Sequence, residues 1–390
     1  MRVTFVSNYI NHHQIPISTV LYEKWGDGYH FIQTEPMEEE RIRLGWNADH
    51  SDLPYLLQFD ESPEKCSQLI MDSDIVIFGG TDDESYISKR LQSGKIVIRY
   101  SERLYKEGQW KAVSPRGLRK KYLDHTRYQK APVYLLCSGG YVADDFEIVR
   151  AYRGKRFQWG YFPAFEESTK EERQAWKRAE KIQLLWAGRF IDWKHPEDAL
   201  AVAKALKEKG YFFMLTMAGG GTLEEVLKEY VRENHLEDCV SFAGFCKPEQ
   251  IREMMKKAQI YLFTSDYKEG WGAVLNESMN SGCAVVASHA IGAVPFLLQH
   301  KKNGLIYKSG DMAELIAHTE MLCKDESVRR NLGEAAYETI ASEWNPQHAG
   351  TALVSLCEQL VKGDFTFRQT GPLSEAKVIR QKKMYEYLCK

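Results

Sequence analysis

No apolar run in this chain of 390 residues approaches the ~20 that a membrane-spanning helix needs. No pair of cysteines has C-x-x-C spacing, and no histidine cluster stands beside any of them. The eight, Cys66, Cys137, Cys239, Cys246, Cys283, Cys323, Cys357 and Cys389, are scattered, which predicts reduced thiols and argues against a disulfide framework or a zinc site. Charge of one sign is also missing. The 52 basic side chains stand against 54 acidic ones, a formal charge of −2, so no global field selects a polyanion and no nucleic-acid partner is expected. The opening "MRVTFVSNYI" has one Arg and a short β-like run where a secretory segment would have an apolar core. These absences predict a soluble cytoplasmic protein that can still touch the inner face of a membrane. Internal repeats and low-complexity tracts are absent too.

What is present is ordinary globular composition, 44% hydrophobic and 12% aromatic, in a chain long enough for two cores. Short apolar runs alternate with helical patterns. "RVTFVSN", "YHFIQT", "DIVIFGG", "KIVIRYS", "VYLLCSG" and "RFQWGYF" occupy the first part. "IQLLWAG", "FFMLTMAG", "VSFAGF", "IYLFTS", "CAVVAS" and "GLIYK" occupy the second. Several are continuously apolar, as strands buried on both faces are. Strand, helix, strand throughout predicts an α/β architecture with parallel sheets. The pattern breaks at "PAFEESTKEERQAWKRAEK", so the expected domains are 1–165 and 166–345, two doubly wound units facing a central cleft. Residues 346–390 read as a helical tail able to cap either domain or cross between them.

Three stretches of the second half could carry chemistry. In "LLWAGRFIDWKHPEDAL" a strand ends at Gly188, and Arg189 and Lys194 follow in front of a helix opening near Pro196. Two cations at a helix N-terminus suit a diphosphate; two solvated loop cations are the plain alternative. In "LTMAGGGTLEEVL", Gly219, Gly220 and Gly221 end a strand and Thr222 suits an N-cap. This is neither G-x-G-x-x-G nor a P-loop, and a tight turn accounts for it equally well. In "SDYKEGWGAVLNESMNSG", Gly270 and Gly272 allow close backbone approach at the start of a helix from about Ala273. Glu269 precedes that helix and Glu277 lies within it. Set among Val274, Leu275 and Met279, Glu277 would be costly as an unpaired charge.

Taken together, "GRFIDWK", "AGGG", "FAGF" and "SDYKEGWGAVLNESMNSGCAVVAS", in this order over about 120 residues and continuing into "NGLIY", resemble the C-terminal half of the retaining family-four glycosyltransferases of the GT-B fold (glycosyl transferases group 1). The signature carried is Glu, seven residues, Glu. The resemblance implies a donor site for a nucleotide diphosphate sugar, UDP-linked, and a hexosyl group moved with retention to a glycan or lipid-linked acceptor in polysaccharide biosynthesis. By position, Arg189 and Lys194 beside Gly188 hold the diphosphate, with Gly219 and Gly220 close by. Glu269 meets sugar hydroxyls. Backbone N–H groups across Gly270, Trp271, Gly272, Ala273 and Val274 meet sugar and phosphate oxygens. Glu277 binds the ribose, and the backbone near Phe245 and Cys246 edges the base. No metal or other cofactor is implied, and the acidic pairs Asp82-Asp83 and Asp144-Asp145 are adjacent, not spaced as ligands.

The first half departs from the pattern. Where members have a Gly-Gly loop this chain has "SNYINHHQIPIS", so His12 and His13 become candidates for phosphate or acceptor, or simply a polar loop. Where members have a histidine after a later strand, Ser101-Glu102-Arg103 stands, which makes Glu102 a candidate for the acceptor side or for the donor sugar. In "SHAIGAVPFLL", Gly292 is kept but the usual acid is not. Residues 99–130 hold ten Lys/Arg against three acids, interleaved with Tyr105, Trp110, Tyr122 and Tyr128. That is either a basic aromatic surface for anionic lipid or a solvated helix pair. Three other functions stay open on this fold: a nucleotide-sugar epimerase, a phosphorylase, and a non-catalytic nucleotide-sugar or glycan-binding protein.

Overall fold

The computed structural model describes residues 1–37 and 52–390. The chain forms two compact units, Met1–Ala164 with Glu343–Gln381, and Phe165–Ser342 with Lys382–Lys390.

In the first unit β1 (Val3–Ser7), β2 (Tyr29–Gln33), β3 (Leu56–Gln58), β4 (Ile75–Gly79), β5 (Val97–Ser101), β6 (Val133–Ser138) and β7 (Arg156–Trp159) form one parallel sheet in the order β3-β2-β1-β4-β5-β6-β7. In the second, β8 (Ile182–Ala187), β9 (Phe213–Ala218), β10 (Val240–Gly244), β11 (Ile260–Phe263), β12 (Ala284–Ser288) and β13 (Leu305–Tyr307) form another, in the order β10-β9-β8-β11-β12-β13. Every residue of β1, β4, β11, β12 and β13 is buried, as sheets covered by helices on both faces require. The strand order reverses between β1 and β4 and again between β8 and β11. These are the switch points where doubly wound sheets open a crevice at their carboxyl ends.

Two local expectations are corrected, and one strand is added: β3, "LLQ", is short, only half-buried and lacks β-branched residues, so it carries no strand signal in the sequence. Thr222 does not cap the helix Glu224–Glu233, whose N-cap position is Leu223, so no side chain closes that end. The tail is not helical throughout. Helix Pro346–Lys362 ends at Gly363 in the left-handed conformation (φ 86°), and residues 363–380 run as an irregular strap before helix Met384–Leu388. Gly371 at φ 71° and Pro372 deny the strap a helix, and it bridges β7 instead, Phe157 to Glu375.

Candidate functional site

The three stretches of the second half converge on its switch point. β8 and β11 are hydrogen-bonded neighbours, so the loops leaving their carboxyl ends lie side by side. Buried Thr264 stitches them. Its hydroxyl takes the Trp186 Nε1–H at 2.8 Å and faces the Lys194 and His195 carbonyls at 2.7 and 2.8 Å. The Asp266 N–H adds a bond to the Trp193 carbonyl at 3.0 Å. The loop after β8 is thereby held against the loop after β11, and Lys194 is aimed at Glu269. The lysine Nζ pairs with Glu269 Oε2, and Ser265 Oγ donates to the same oxygen at 3.1 Å. Lys194 also lies over the Trp193 and Phe263 rings, 4.8 and 6.0 Å from their centroids. It is therefore no freely solvated loop cation. Arg189 is exposed, 5.8 Å from the centroid of the same indole ring.

Glycine geometry packs the site. A Cβ on Gly219 (φ 140°) would sit 1.8 Å from the Gly188 carbonyl oxygen, and one on Gly221 (φ 155°) 2.5 Å from that of Phe190. The glycines after β9 thus let its loop lie against the loop after β8; Gly220 has more room. Gly292 packs against the loop after β11. Its N–H bonds the Glu269 carbonyl at 3.1 Å, and a Cβ there would stand 1.7 Å from the Gly270 carbonyl oxygen. Gly272 turns at φ 91° over the Phe263 ring. Trp271 is buried, its Nε1–H donated to Asn276 Oδ1 at 2.9 Å, and its carbonyl accepts from Ala293. Helix Val274–Asn280 starts there, with Ala273 at its N-cap. Among the described residues no acceptor takes the N–H of Gly270, Gly272 or Ala273.

Glu277 is 8% exposed, and burial pushes its carboxyl up to about 7 despite Arg252, whose Nη1 lies 3.5 Å from Oε1. Phe245, past the end of β10, is exposed, and Cys246 beside it is half-buried. Sequence reasoning missed His195, Thr264 and Arg252. His195 sits between Lys194 and Pro196 in the left-handed region (φ 48°). Its Nδ1 is 3.0 Å from Glu197 Oε1 and its Nε2 3.7 Å from Asp266 Oδ2, contacts that raise it to about 10 and keep it cationic at neutral pH. Its place in "KHPED" was the available signal.

In the first unit His13 stacks on Tyr161 at 5.8 Å and lies 3.8 Å, ring to ring, from His12. Glu102 accepts from the Tyr161 hydroxyl on one oxygen and from Lys106 on the other. Glu102 and His13 thus meet on one tyrosine. The basic segment shrinks on folding. Arg99 is buried on Glu84 at 2.7 Å and Arg103 on Asp145 at 3.2 Å, so neither belongs to a basic surface. Asp144 and Asp145 are consumed structurally: Arg380 and the Gln381 N–H meet Asp144, and Gln109 bonds both. One Asp-x-Asp does occur, Asp72-Ser73-Asp74, but it precedes β4 at the amino edge of the sheet. Asp74 there takes the Arg2 N–H at 2.7 Å. No helix among the described residues is long and apolar enough to cross a membrane.

Comparison with known proteins agrees with this geometry. Residues 168–339 match the family described as glycosyl transferases group 1. The chain is 30% identical to the amylovoran biosynthesis glycosyltransferase AmsK of Erwinia amylovora over 184 residues, 46% of this chain and 45% of that one. It is 29% identical to the N-acetyl-alpha-D-glucosaminyl L-malate synthase of Bacillus anthracis over 43% of each chain. The matches thus span about half the length of these curated relatives. In structure it resembles Anabaena HepE in complex with UDP (TM-score 0.70, 15% identity, 91% of this chain and 99% of that one). A glycosyltransferase from Rickettsia africae gives a TM-score of 0.66 at 13% identity, over 93% and 99% of the two chains. The segment 168–339 is thus similar to a glycosyl transferases group 1 domain, and the two parallel-sheet units of the chain have the GT-B fold.

Proposed function

We propose that this protein is a retaining glycosyltransferase that moves a sugar from a nucleoside diphosphate sugar, UDP-linked, to a hydroxyl of a glycan or lipid-linked acceptor. The observation that carries the reading is the Lys194–Glu269 pair, a cation and a carboxylate brought together from the ends of two adjacent strands. A sugar hydroxyl is a donor and needs a carboxylate; a departing diphosphate needs positive charge. Lys194 stands between both partners, and Arg189 adds a second cation on the Trp193 ring. Glu269, fixed by Ser265 and by the Gly292 N–H on its carbonyl, accepts from the sugar. The N–H groups of Gly270 to Ala273 meet phosphate, and Glu277 accepts from the ribose. The leaving diphosphate takes the proton of the incoming hydroxyl on the same face, which retains the anomeric configuration. Charge on the leaving group is met by side chains, so the reaction needs no divalent metal. The UDP and UDP-glucose bound in HepE structures support uracil as the base.

On the acceptor side stand His13, Tyr161 and Glu102 of the first unit. The same unit supplies a surface for the inner membrane face. Helix Pro115–Asp124 has no buried residue, and it exposes Leu118, Tyr122 and Leu123 among Arg116, Arg119 and Lys120, with Trp110 71% exposed beside it.

The test is donor turnover. A thermal-shift panel of UDP-, GDP- and ADP-sugars identifies the donor, since binding raises apparent stability by mass action. Wild type is expected to hydrolyse that donor slowly in the absence of acceptor, with EDTA making no difference. Lys194→Ala and Glu269→Ala should lower turnover by about a hundredfold or more. Full activity in both variants would sink the assignment, and a donor bound but never turned over would favour a binding protein.

A further inference from the structure

Glu277 lies in helix Val274–Asn280, packed against helices Pro248–Lys257 and Glu326–Ser342. A ribose acceptor must be ionised, yet this carboxylate is 8% exposed and burial alone would leave it protonated at neutral pH. The groups facing it are few. From helix Pro248–Lys257 come Arg252, 3.5 Å away, and Glu249, which itself meets Arg252 Nη2 at 3.2 Å and opposes ionisation of Glu277. From β11 comes the buried Tyr261 hydroxyl, held protonated by its burial and by Glu277. Helix Glu326–Ser342 turns Glu334 to Arg173 and Arg329 to the Leu322 carbonyl, and β12 presents only small and apolar residues and Ser288. Among these groups Arg252 is the one cation that reaches Glu277. It is also 29% exposed at its side chain, so it arrives from the surface and is not part of the core.

We propose that Arg252 is a positioning residue for donor binding: its guanidinium holds the buried Glu277 carboxylate ionised through Oε1 and leaves Oε2 to accept from the ribose. This rests on the reading of Glu277 as the ribose acceptor. Discrimination between a ribonucleotide and its 2′-deoxy form then belongs to the Arg252–Glu277 pair and follows the ionisation of Glu277.

The experiment measures, by calorimetry on the full chain, the affinity of whichever of UDP, GDP or ADP binds and of its 2′-deoxy counterpart, across pH. Phosphate titration is common to both and cancels in their ratio. In wild type the preference for ribose should fall as pH drops from about 8.5 to about 5.5, with its midpoint at about 7. Arg252→Gln should move the midpoint upward, lowering the preference at neutral pH by about threefold or more and restoring it at about pH 9. Arg252→Lys should stay within about twofold of wild type. Glu277→Gln should give a low preference that no longer varies with pH. An Arg252→Gln ratio that tracks wild type at every pH, with Glu277→Gln still flat, overturns the role of Arg252 alone. Wild-type preference retained in Glu277→Gln overturns the ribose reading. Binding of none of the three diphosphates overturns the donor site as a whole.

Discussion

At the scale of single residues, Glu277 sets function against stability. Its folded pKa of about 7 lies above its ordinary 4.5, so between those values the folded chain holds a proton that the unfolded chain releases. Stability from this group therefore falls as pH rises through that window and is lowest above it. Glu277→Gln should then raise the unfolding free energy near pH 8 by on the order of 1 kcal/mol while weakening donor binding, measured by denaturant titration and calorimetry. His289 acts with the opposite slope. It is buried, its Nδ1 accepts from the Ser309 N–H and its Nε2 meets the Tyr267 hydroxyl, and burial lowers it to about 4. Its contribution is complete above about 6.5 and is lost as pH falls toward about 4, so His289→Gln should flatten the acid limb of the stability profile. Gly292→Ala tests backbone packing beneath the site. The added methyl meets the Gly270 carbonyl, and the expected cost is about 1–3 kcal/mol, with donor affinity lost alongside stability.

At the scale of elements, most of the scaffold was readable because parallel strands are short apolar runs, several of them continuous, and all twelve runs read from the sequence stand as strands. What escaped were features without periodicity. β3 is a half-buried edge strand, the strap at 363–380 takes its shape from Gly371, Pro372 and a bridge to β7, and helix Glu224–Glu233 begins without a capping side chain. The glutamate pair and the cations of the site were visible as a motif. The stitching was not. Thr264 looks like any strand-end threonine until Trp186, Lys194 and His195 are placed around it by the β8–β11 pairing. Thr264→Val should leave the Trp186 N–H without its acceptor and remove the one hydroxyl donor that the Lys194 and His195 carbonyls share, cost about 1–3 kcal/mol and raise KM for the donor, seen in thermal unfolding and initial rates. Helix Pro115–Asp124 makes a prediction of its own kind. Arg119→Glu with Lys120→Glu should abolish sedimentation with phosphatidylglycerol vesicles, which wild type should show at low salt and lose at high salt. Equal sedimentation of both proteins, or none of wild type, removes this surface from the account.

At the scale of the whole molecule, the covalent chain passes between units three times, after Ala164, Ser342 and Gln381. The boundary near 165 was signalled by a charged segment following a proline. The crossing after Ser342 lies three residues before Asn345 and Pro346, which open helix Pro346–Lys362, whereas the crossing after Gln381 carries no such punctuation. Helix Pro346–Lys362 covers helix Ile15–Trp25, where Gly350 lets the two approach: a Cβ there would stand 2.6 Å from Val20. Tyr385, beyond the last crossing, donates to Glu314 and lies against His289 in the second unit. Truncation after Gln381 should therefore lower the thermal transition of the second unit and leave that of the first in place.

The pairing of helices Ile15–Trp25 and Pro346–Lys362 also fixes an order of events during synthesis. The amino-terminal unit emerges first from the ribosome, yet the helix that packs on Ile17 and Val20 is made only after the entire second sheet. For the time needed to translate about 180 residues, at about 5–20 per second, that apolar face waits uncovered. The second sheet, by contrast, is complete before the first is closed. The unit begun first is thus closed only after the sheet of the other is complete, and its nascent form is the one that should need a chaperone.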